Sequence, residues 1–158
     1  MIRYVVGFAF SENMDSVVLI KKNRPKWQAG KYNGVGGKVE AGETPIQALV
    51  REYWEETGVQ TEEADWAPLA LQHGKDSQGD IFDLHAFSSV SKNAFTGAAT
   101  KTDEEIFYVN INAFRHLEHF VSSVPWLVFL AKDSNMRNKQ MRVEAYYNCE
   151  APNDQTSS

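Results

Sequence analysis

The sequence predicts an α/β sandwich in which helices cover a mixed β-sheet. Segments rich in β-branched and aromatic residues, typical of strands, recur along the whole chain. Between them lie a few amphipathic or apolar helical segments, which need a sheet face to bury their apolar side. We expect one domain over residues 1–150. The polar residues 151–158 have no periodicity and are expected to be a disordered tail.

The first part of the chain contains two predicted strands and a glycine-rich loop. Residues 2–10 and 17–22 are rich in β-branched and aromatic side chains, and we expect them to pair as a hairpin across the polar turn between them. Residues 23–37 hold one proline and four glycines, a composition typical of an irregular loop. This loop leads into the first predicted helix.

The rest of the chain combines further strands with two more helices. The predicted strands are residues 65–74, 80–90, 104–111 and 141–148. The predicted helices are residues 112–120, capped by Asn112, and the strongly apolar residues 124–133.

Composition limits the classes of function. The net charge of −5 argues against a broad nucleic-acid surface, but not against a nucleotide whose charge a metal ion offsets. Cys149 is the only cysteine, which predicts a reducing, cytoplasmic location. The N-terminus lacks the pattern of a signal peptide, and no apolar run has the length needed to cross a bilayer. We therefore expect no membrane and no nucleic-acid partner, and a homodimer is left open.

The most informative segment is GGKVEAGETPIQALVREYWEETGV, residues 36–59. It predicts a helix with Thr44 as N-cap, Pro45 at the first helical position and Gly58 as the stop. The apolar spacing assigns a core-facing side to Ile46, Leu49, Val50, Tyr53 and Thr57.

Glu52, Glu55 and Glu56 fall on a different side of this helix. They are three and four residues apart, so their carboxylates can converge on one point, where they repel one another. A solvated polar face is the ordinary explanation for glutamates on a helix. The alternative is a divalent cation between them, because Mg²⁺ prefers oxygen ligands and pairs readily with phosphates. The glycines just upstream favour the cation, since they expose backbone groups to such a site.

Arg51 precedes this acidic cluster. It can reach Glu55 one turn later, or it can turn back to Glu43 and brace the glycine loop against the helix. The sequence leaves both contacts open. In either case the segment predicts a loop and a helix that together carry a site for a hard metal ion.

The segment resembles the signature of a known family, the Nudix hydrolases. That signature is G-x5-E-x7-R-E-U-x-E-E-x-G-U, where U is an apolar residue. The matching positions are Gly37, Glu43, Arg51, Glu52, Tyr53, Glu55, Glu56, Gly58 and Val59. Tyr53 stands where the family usually has an aliphatic residue, and we expect its ring to be buried with local repacking. The predicted order of strands and helices also resembles the Nudix α/β/α sandwich.

The resemblance implies hydrolysis within the diphosphate of a nucleoside diphosphate linked to another group, with Mg²⁺ or Mn²⁺ as cofactor. The implied metal ligands are Glu52, Glu55, Glu56 and the carbonyl of Gly37. Glu43 and Arg51 are implied to be the structural brace of this catalytic segment.

In many family members an acid on a later loop or strand completes the metal set or acts as general base. The segment TKTDEE offers Asp103, Glu104 and Glu105 for this role. An acidic turn without a catalytic role explains each of them equally well. Among the three we favour Glu104.

The substrate prediction also comes from resemblance. The segment around the glycines is similar to that of MutT-like nucleoside triphosphate pyrophosphohydrolases, which act on oxidised purine nucleotides. There an asparagine just before the glycine pair contacts the base, and Asn33 has that position. Trp126 matches a tryptophan that lines the base pocket, although it also fits a core position of an apolar helix. Lys38 directly follows the glycines and is the third substrate-binding candidate. Ser122 and Ser123 replace acidic residues of the oxidised-guanine readers, which leaves the base open.

The sequence fits two other kinds of site less well. Lys38 has neither the following Ser/Thr nor the upstream glycine of a P-loop. His116, Glu118 and His119 lack the further partners of a zinc site, and a solvated helix face explains them. Within the family, the alternatives to a (d)NTP hydrolase are a nucleotide-sensing binding module and an RNA 5′-end pyrophosphohydrolase. A sensing module usually loses the acidic residues that this chain keeps.

Overall fold

The computed structural model describes residues 1–133, 135 and 139–146. The strands are β1 (Ile2–Ala9), β2 (Ser16–Lys21), β3 (Tyr32–Asn33), β4 (Val35–Lys38), β5 (Ala67–Lys75), β6 (Ile81–Ser89), β7 (Glu105–Asn110) and β8 (Met141–Tyr146). The α-helices are α1 (Pro45–Thr57), α2 (Lys92–Phe95) and α3 (Ser123–Lys132). Short 3-10 turns lie at Glu63–Asp65, Ile111–Arg115 and Leu117–His119.

The strands form two sheets between the two long helices. A mixed five-stranded sheet has the order β4-β1-β6-β5-β8, and an antiparallel three-stranded sheet has the order β3-β2-β7. One core packs around α1 with Val5 and Phe87, and the other packs around α3 with Val6 and Phe8. Adjacent residues of β1 thus point into opposite cores, as alternation along a strand requires. The predicted sandwich with a mixed sheet is confirmed. Within the described residues, no helix is long and apolar enough to cross a membrane.

The predicted bounds of α1 are confirmed. The Thr44 side chain accepts a hydrogen bond from the Gln47 backbone N–H at 3.3 Å, and the Gln47 side chain accepts from the Thr44 N–H at 2.9 Å. This is a capping box, which satisfies two amides at the helix start. Gly58 ends the helix in the left-handed region with φ of 76°, a conformation that glycine adopts without steric cost.

The predicted hairpin of the first two strands is wrong. β1 pairs with β4 and β6, whereas β2 pairs with β3 and β7. Next to the turn, the two arms are joined by the bridge from Phe10 to Val17 and by a 2.9 Å hydrogen bond from the Ser11 amide to the Ser16 carbonyl. All side chains of residues 17–20 are buried, so β2 has no solvent-facing side. Both edges of each strand are occupied by other strands, so β1 and β2 belong to separate sheets.

The glycine-rich loop contains two strands that were not predicted, β3 and β4. Glycine is depleted in strands in general, but here it permits a close backbone approach. An ideal Cβ on Gly36 would lie 1.9 Å from the carbonyl oxygen of Val5 on β1. No other residue fits at this position in the β1–β4 pair.

The remaining differences concern short elements. The predicted helix 112–120 is replaced by two 3-10 turns, and Asn110 rather than Asn112 caps the first. The one-turn helix α2 was not predicted. The predicted helix 124–133 is confirmed as α3 to within one residue at each end. Residues 147–148 of the last predicted strand and the tail 151–158 lie outside the described residues.

Tyr53, the departure from the family pattern, is fully buried in the α1 core. Its ring lies edge-on against Trp66 with 5.0 Å between the ring centroids. Its hydroxyl donates a 2.6 Å hydrogen bond to the carbonyl of Ala94 in α2. The expected burial of the ring is confirmed, and the hydroxyl gains a role by attaching α2 to α1.

We predict that Tyr53→Phe lowers the free energy of unfolding by about 1–2 kcal/mol, because it leaves the buried Ala94 carbonyl without its donor. Denaturant unfolding measures the change. Tyr108→Phe is the matched control, since it removes a hydroxyl that bonds the carbonyls of Phe95 and Ala98 from an exposed side chain. Equal losses in the two variants would contradict a special role for the buried bond.

Candidate functional site

Gly37 lies directly against the carboxylate of Glu52. It belongs to β4, where it pairs with Val5 of β1, and α1 packs beside this strand. An ideal Cβ on Gly37 would be 2.5 Å from Oε1 of Glu52. The absent side chain therefore lets the strand backbone and the helix carboxylate meet. Two of the predicted metal ligands are brought together here.

Arg51 connects α1 to the loop that precedes it. Its Nε and Nη2 donate to the Glu43 carboxylate at 3.1 and 2.6 Å, and Nη2 also donates to the Lys38 carbonyl at 3.0 Å. The hydrogen bond from Arg51 lowers the pKa of Glu43, and the same bond raises the pKa of Arg51. Both groups therefore stay charged. The predicted brace between Arg51 and Glu43 is present.

The same guanidinium also faces the acidic cluster. Nη1 of Arg51 lies 2.8 Å from Oε1 of Glu52 and 3.5 Å from Oε2 of Glu55. The two contacts that the sequence left open, to Glu43 and to Glu55, are thus made together. The positive charge of Arg51 offsets part of the repulsion among the acids.

Glu56 is the most perturbed acid of the cluster. Burial raises its pKa to about 7, and this rise persists although the nearby charge of Lys22 lowers it. The charges of Glu52, Glu104 and Glu55 raise it further. Its Oε2 is buried without a hydrogen-bond partner. Burial also raises the pKa of Glu52, against the opposing effect of Arg51. An unpartnered buried carboxylate oxygen is costly to the fold, and such costs concentrate at functional sites.

The chemistry of these donors fits a hard divalent cation. Carboxylate oxygens and a glycine backbone meet at one place, and one buried oxygen lacks a partner. Among the described residues, however, no three acidic, histidine or cysteine side chains already surround a metal position. Oε1 of Glu52 accepts a bond from Arg51, and its other oxygen leaves a position for an ion. Arg51 also keeps its bonds to Glu43 and Lys38. The metal set stays a prediction.

Glu104 lies next to this cluster but is fully engaged elsewhere. It is buried, and its Oε1 accepts a 2.9 Å bond from Nζ of Lys22 while Oε2 accepts a 2.6 Å bond from the Asn23 amide. Burial raises the pKa of Glu104, but the bonds from Lys22 and from the backbone of Asn23 outweigh it, so the net shift is downward. Asp103 and Glu105, the other two candidates, are exposed.

A cavity of about 530 Å³ lies between the segment 117–126 and the loop that follows β2. Its walls are largely aromatic: Trp27 is on one side, and Phe120 and Trp126 are on the other. The complete lining is Trp27, Lys31, Leu117, Glu118, Phe120, Ser122, Pro125 and Trp126. Trp126 also packs partly against the α3 core. A cavity of this size and composition suits a planar apolar group with a polar edge.

The other two predicted substrate-binding residues do not line this cavity. The Asn33 amide donates to Oε1 of Gln28 at 3.1 Å, and its oxygen accepts from the Gly34 backbone at 2.8 Å. Lys38 is exposed and contributes only its carbonyl, to Arg51. Asn33 thus shapes the turn into the glycine strand, and contact of either residue with substrate stays a prediction.

Sequence reasoning missed Trp27 and Lys22. Trp27 is 63% exposed, on a loop that Pro25 and Gly30 enclose. The signal that could have found it is its position in a loop next to the glycine segment, because binding residues concentrate on loops. Lys22 gave no local signal, since its partner Glu104 is 82 residues away.

We predict that Glu56→Gln stabilises the metal-free protein above neutral pH. Because the folded pKa of Glu56, about 7, exceeds the ordinary value of 4.5, its protonated form contributes stability that is complete below about pH 4.5 and is lost as the pH rises through 7. Glutamine does not ionise, so the variant does not lose this stability as the pH rises. In EDTA the variant should match the wild type at pH 4.5 and exceed it at pH 8 by up to about 3 kcal/mol. Denaturant unfolding measures this, with the exposed Glu12→Gln as control. A constant difference at all pH values would contradict the assigned cause.

The chain is similar to known proteins of one family. The NUDIX domain model matches residues 1–127. The CTP pyrophosphohydrolase of Escherichia coli (strain K12) is 37% identical over 79 residues, which are 50% of this chain and 56% of that protein. The 8-oxo-dGTP diphosphatase of the same organism is 38% identical over 58 residues, 37% of this chain and 44% of that protein. The chain thus aligns with about half the length of these relatives.

The fold has close counterparts among solved structures. The MutT protein from Bacillus halodurans superposes with a TM-score of 0.67 at 21% sequence identity, over 93% of this chain and 90% of that one. At this identity the likeness concerns the fold alone. Because the family model spans most of the chain and includes the glycine strand, Arg51 and the acidic helix, the chain belongs to the Nudix family.

Proposed function

We propose that this protein hydrolyses a nucleoside triphosphate to the monophosphate and pyrophosphate, with Mg²⁺ or Mn²⁺ as cofactor. The observation that carries the proposal is the buried, unpartnered oxygen of Glu56 beside Glu52 and Gly37. Burying this oxygen without a partner costs stability, and a cation bound next to it would supply the missing partner. Relatives named for CTP and for 8-oxo-dGTP support a nucleoside triphosphate as substrate.

In this proposal Glu52, Glu55, Glu56 and the carbonyl of Gly37 hold the cation. When bound, a divalent cation neutralises phosphate oxygens and makes water a stronger nucleophile. Arg51 keeps the helix and the glycine strand at a constant separation through Glu43 and Lys38.

The aromatic cavity is the proposed site for the base. Phe120 of the cavity wall bridges Tyr32, which lies five residues before Gly37, at most about 17 Å along an extended backbone. A nucleotide whose base lies beside Trp27 and Trp126 can therefore extend its phosphates along this strand toward Glu52. Stacking tolerates every base, so the aromatic walls alone do not choose one. The lone cysteine and a nucleotide substrate together support the expected cytoplasmic location.

A substrate panel tests the proposal. The protein is incubated with Mg²⁺ and, separately, CTP, dGTP, 8-oxo-dGTP, ATP, a dinucleoside polyphosphate or 5′-triphosphate RNA, and products are separated by chromatography. Monophosphate and pyrophosphate from a mononucleotide are expected. Tight binding without turnover would instead identify a sensing module, and turnover of RNA alone would identify an RNA-end hydrolase.

We predict that Glu56→Gln lowers turnover by about 100-fold or more, because the variant loses a charged ligand of the cation. Pyrophosphate release at saturating nucleotide measures this, and Glu12→Gln again serves as the control. A variant that kept full turnover while remaining folded would refute the assignment of the acidic cluster.

We predict that Trp27→Ala raises KM for the nucleotide by about 5-fold to 100-fold, the range expected for one lost stacking contact. Its melting temperature should not change, because the side chain is mostly exposed. Trp126→Ala should raise KM and also lower the melting temperature, since Trp126 packs against the α3 core. Trp54→Ala, an exposed tryptophan of α1 outside the cavity, is the control. If Trp126→Ala lowered only the melting temperature, Trp126 would be a core residue and not a base contact.

A further inference from the structure

Trp27 reaches the aromatic cavity on an exposed loop, residues 23–31. Backbone bonds of 2.9 Å between Lys22 and Lys31 and 2.8 Å between Gly30 and Lys22 close the base of this loop. Trp27 itself is largely exposed, so its packing contributes little to where the loop lies. The position of Trp27 therefore depends on how the base of the loop is held.

Glu104 holds the first residues of this loop. The register of β2 and β7 pairs Lys21 with Glu105, which places the adjoining residues Lys22 and Glu104 side by side. Glu104 is 4% exposed. It accepts hydrogen bonds from Nζ of Lys22 at 2.9 Å and from the backbone amide of Asn23 at 2.6 Å. A charged acceptor that binds a backbone amide fixes the course of the main chain there.

Asp103 strengthens the same attachment. The side-chain amide of Asn23 donates to the Asp103 carbonyl at 2.6 Å. The guanidinium of Arg24 pairs with the Asp103 carboxylate, and the Arg24 amide lies 3.4 Å from Oε2 of Glu104. The first two residues of the loop are thus bonded to two consecutive acids on the segment before β7.

This arrangement leaves Glu104 poorly placed to accept a proton from water. Oε1 is occupied by Lys22, and Oε2 is occupied by the amides of Asn23 and Arg24. A general base needs an oxygen free to approach the proton that it removes. Glu104 has no such oxygen, since each of its two oxygens already accepts a hydrogen bond.

We propose that Glu104 is a positioning residue that anchors residues 23–31, so that Trp27 is held over the base of the bound nucleotide. This assignment replaces the two roles that the family resemblance leaves open for this acid, which are completing the metal set and acting as general base. The role in nucleotide binding rests on the proposed function, whereas the anchoring of the loop can be tested in the free protein.

The test compares Glu104→Gln with Glu105→Gln, a matched loss of one negative charge at the next, exposed residue. The first readout is cleavage by trypsin of the Lys26–Trp27 bond in the protein without metal or nucleotide, followed by mass spectrometry. Glu104→Gln should speed this cleavage about tenfold or more, because bonds to a charged acceptor are lost. Glu105→Gln should cleave at the wild-type rate. Cleavage unchanged in Glu104→Gln would overturn the proposal.

Steady-state kinetics then separate positioning from proton transfer. An anchor predicts a KM about tenfold higher with kcat within about threefold of wild type, and Glu104→Gln/Trp27→Ala should have the KM of Trp27→Ala alone. A general base predicts a fall in kcat of about 100-fold with KM and cleavage unchanged, which would refute the anchor. Cleavage at many sites with a lowered melting temperature would show general unfolding and also refute it. If no nucleotide is hydrolysed, the proposed function fails while the trypsin result still decides the anchoring.

Discussion

The site depends on the guanidinium of Arg51. One side chain binds the Glu43 carboxylate, the Lys38 carbonyl and the Glu52 carboxylate, so it joins the glycine strand, the following turn and α1. An arginine suits this place because its planar group offers several donors in one plane and stays charged at every physiological pH. Without it, three neighbouring acids would face the glycine strand with no opposing charge on the helix.

The acidic cluster is a place where the chain accepts a loss of stability. Glu56 is buried with one oxygen unpartnered, and its charged form is disfavoured by burial and by the acids around it. Selection for stability alone would favour an apolar residue at position 56 or a hydrogen-bond partner for Glu56. Its presence next to Glu52 and Gly37 is understandable if the missing partner is a ligand and not a protein group.

The acidic cluster and the two walls of the aromatic cavity belong to separate elements of the fold. The β4–α1 unit carries the acids, the segment 117–126 and α3 form one wall of the aromatic cavity, and residues 23–31 form the other. The pairing of β2 with β7 connects residues 23–31 to the acidic cluster through Lys22 and Glu104. Both residues act on Glu56 through their charges. The loop of residues 23–31 and the acidic cluster are therefore connected by one ion pair.

The local patterns of the sequence determined α1 and the acidic cluster. The ends of α1 are set locally, by the Thr44 cap, by the fixed φ of Pro45 and by the left-handed Gly58. The convergence of Glu52, Glu55 and Glu56 follows from helix geometry alone. Only the tertiary structure decided the rest. The pairing of β1 with distant strands, the contact of Gly36 with Val5 and the bond of Lys22 to Glu104 join residues far apart in the chain. Their energy comes from burial and partners that local propensity does not contain.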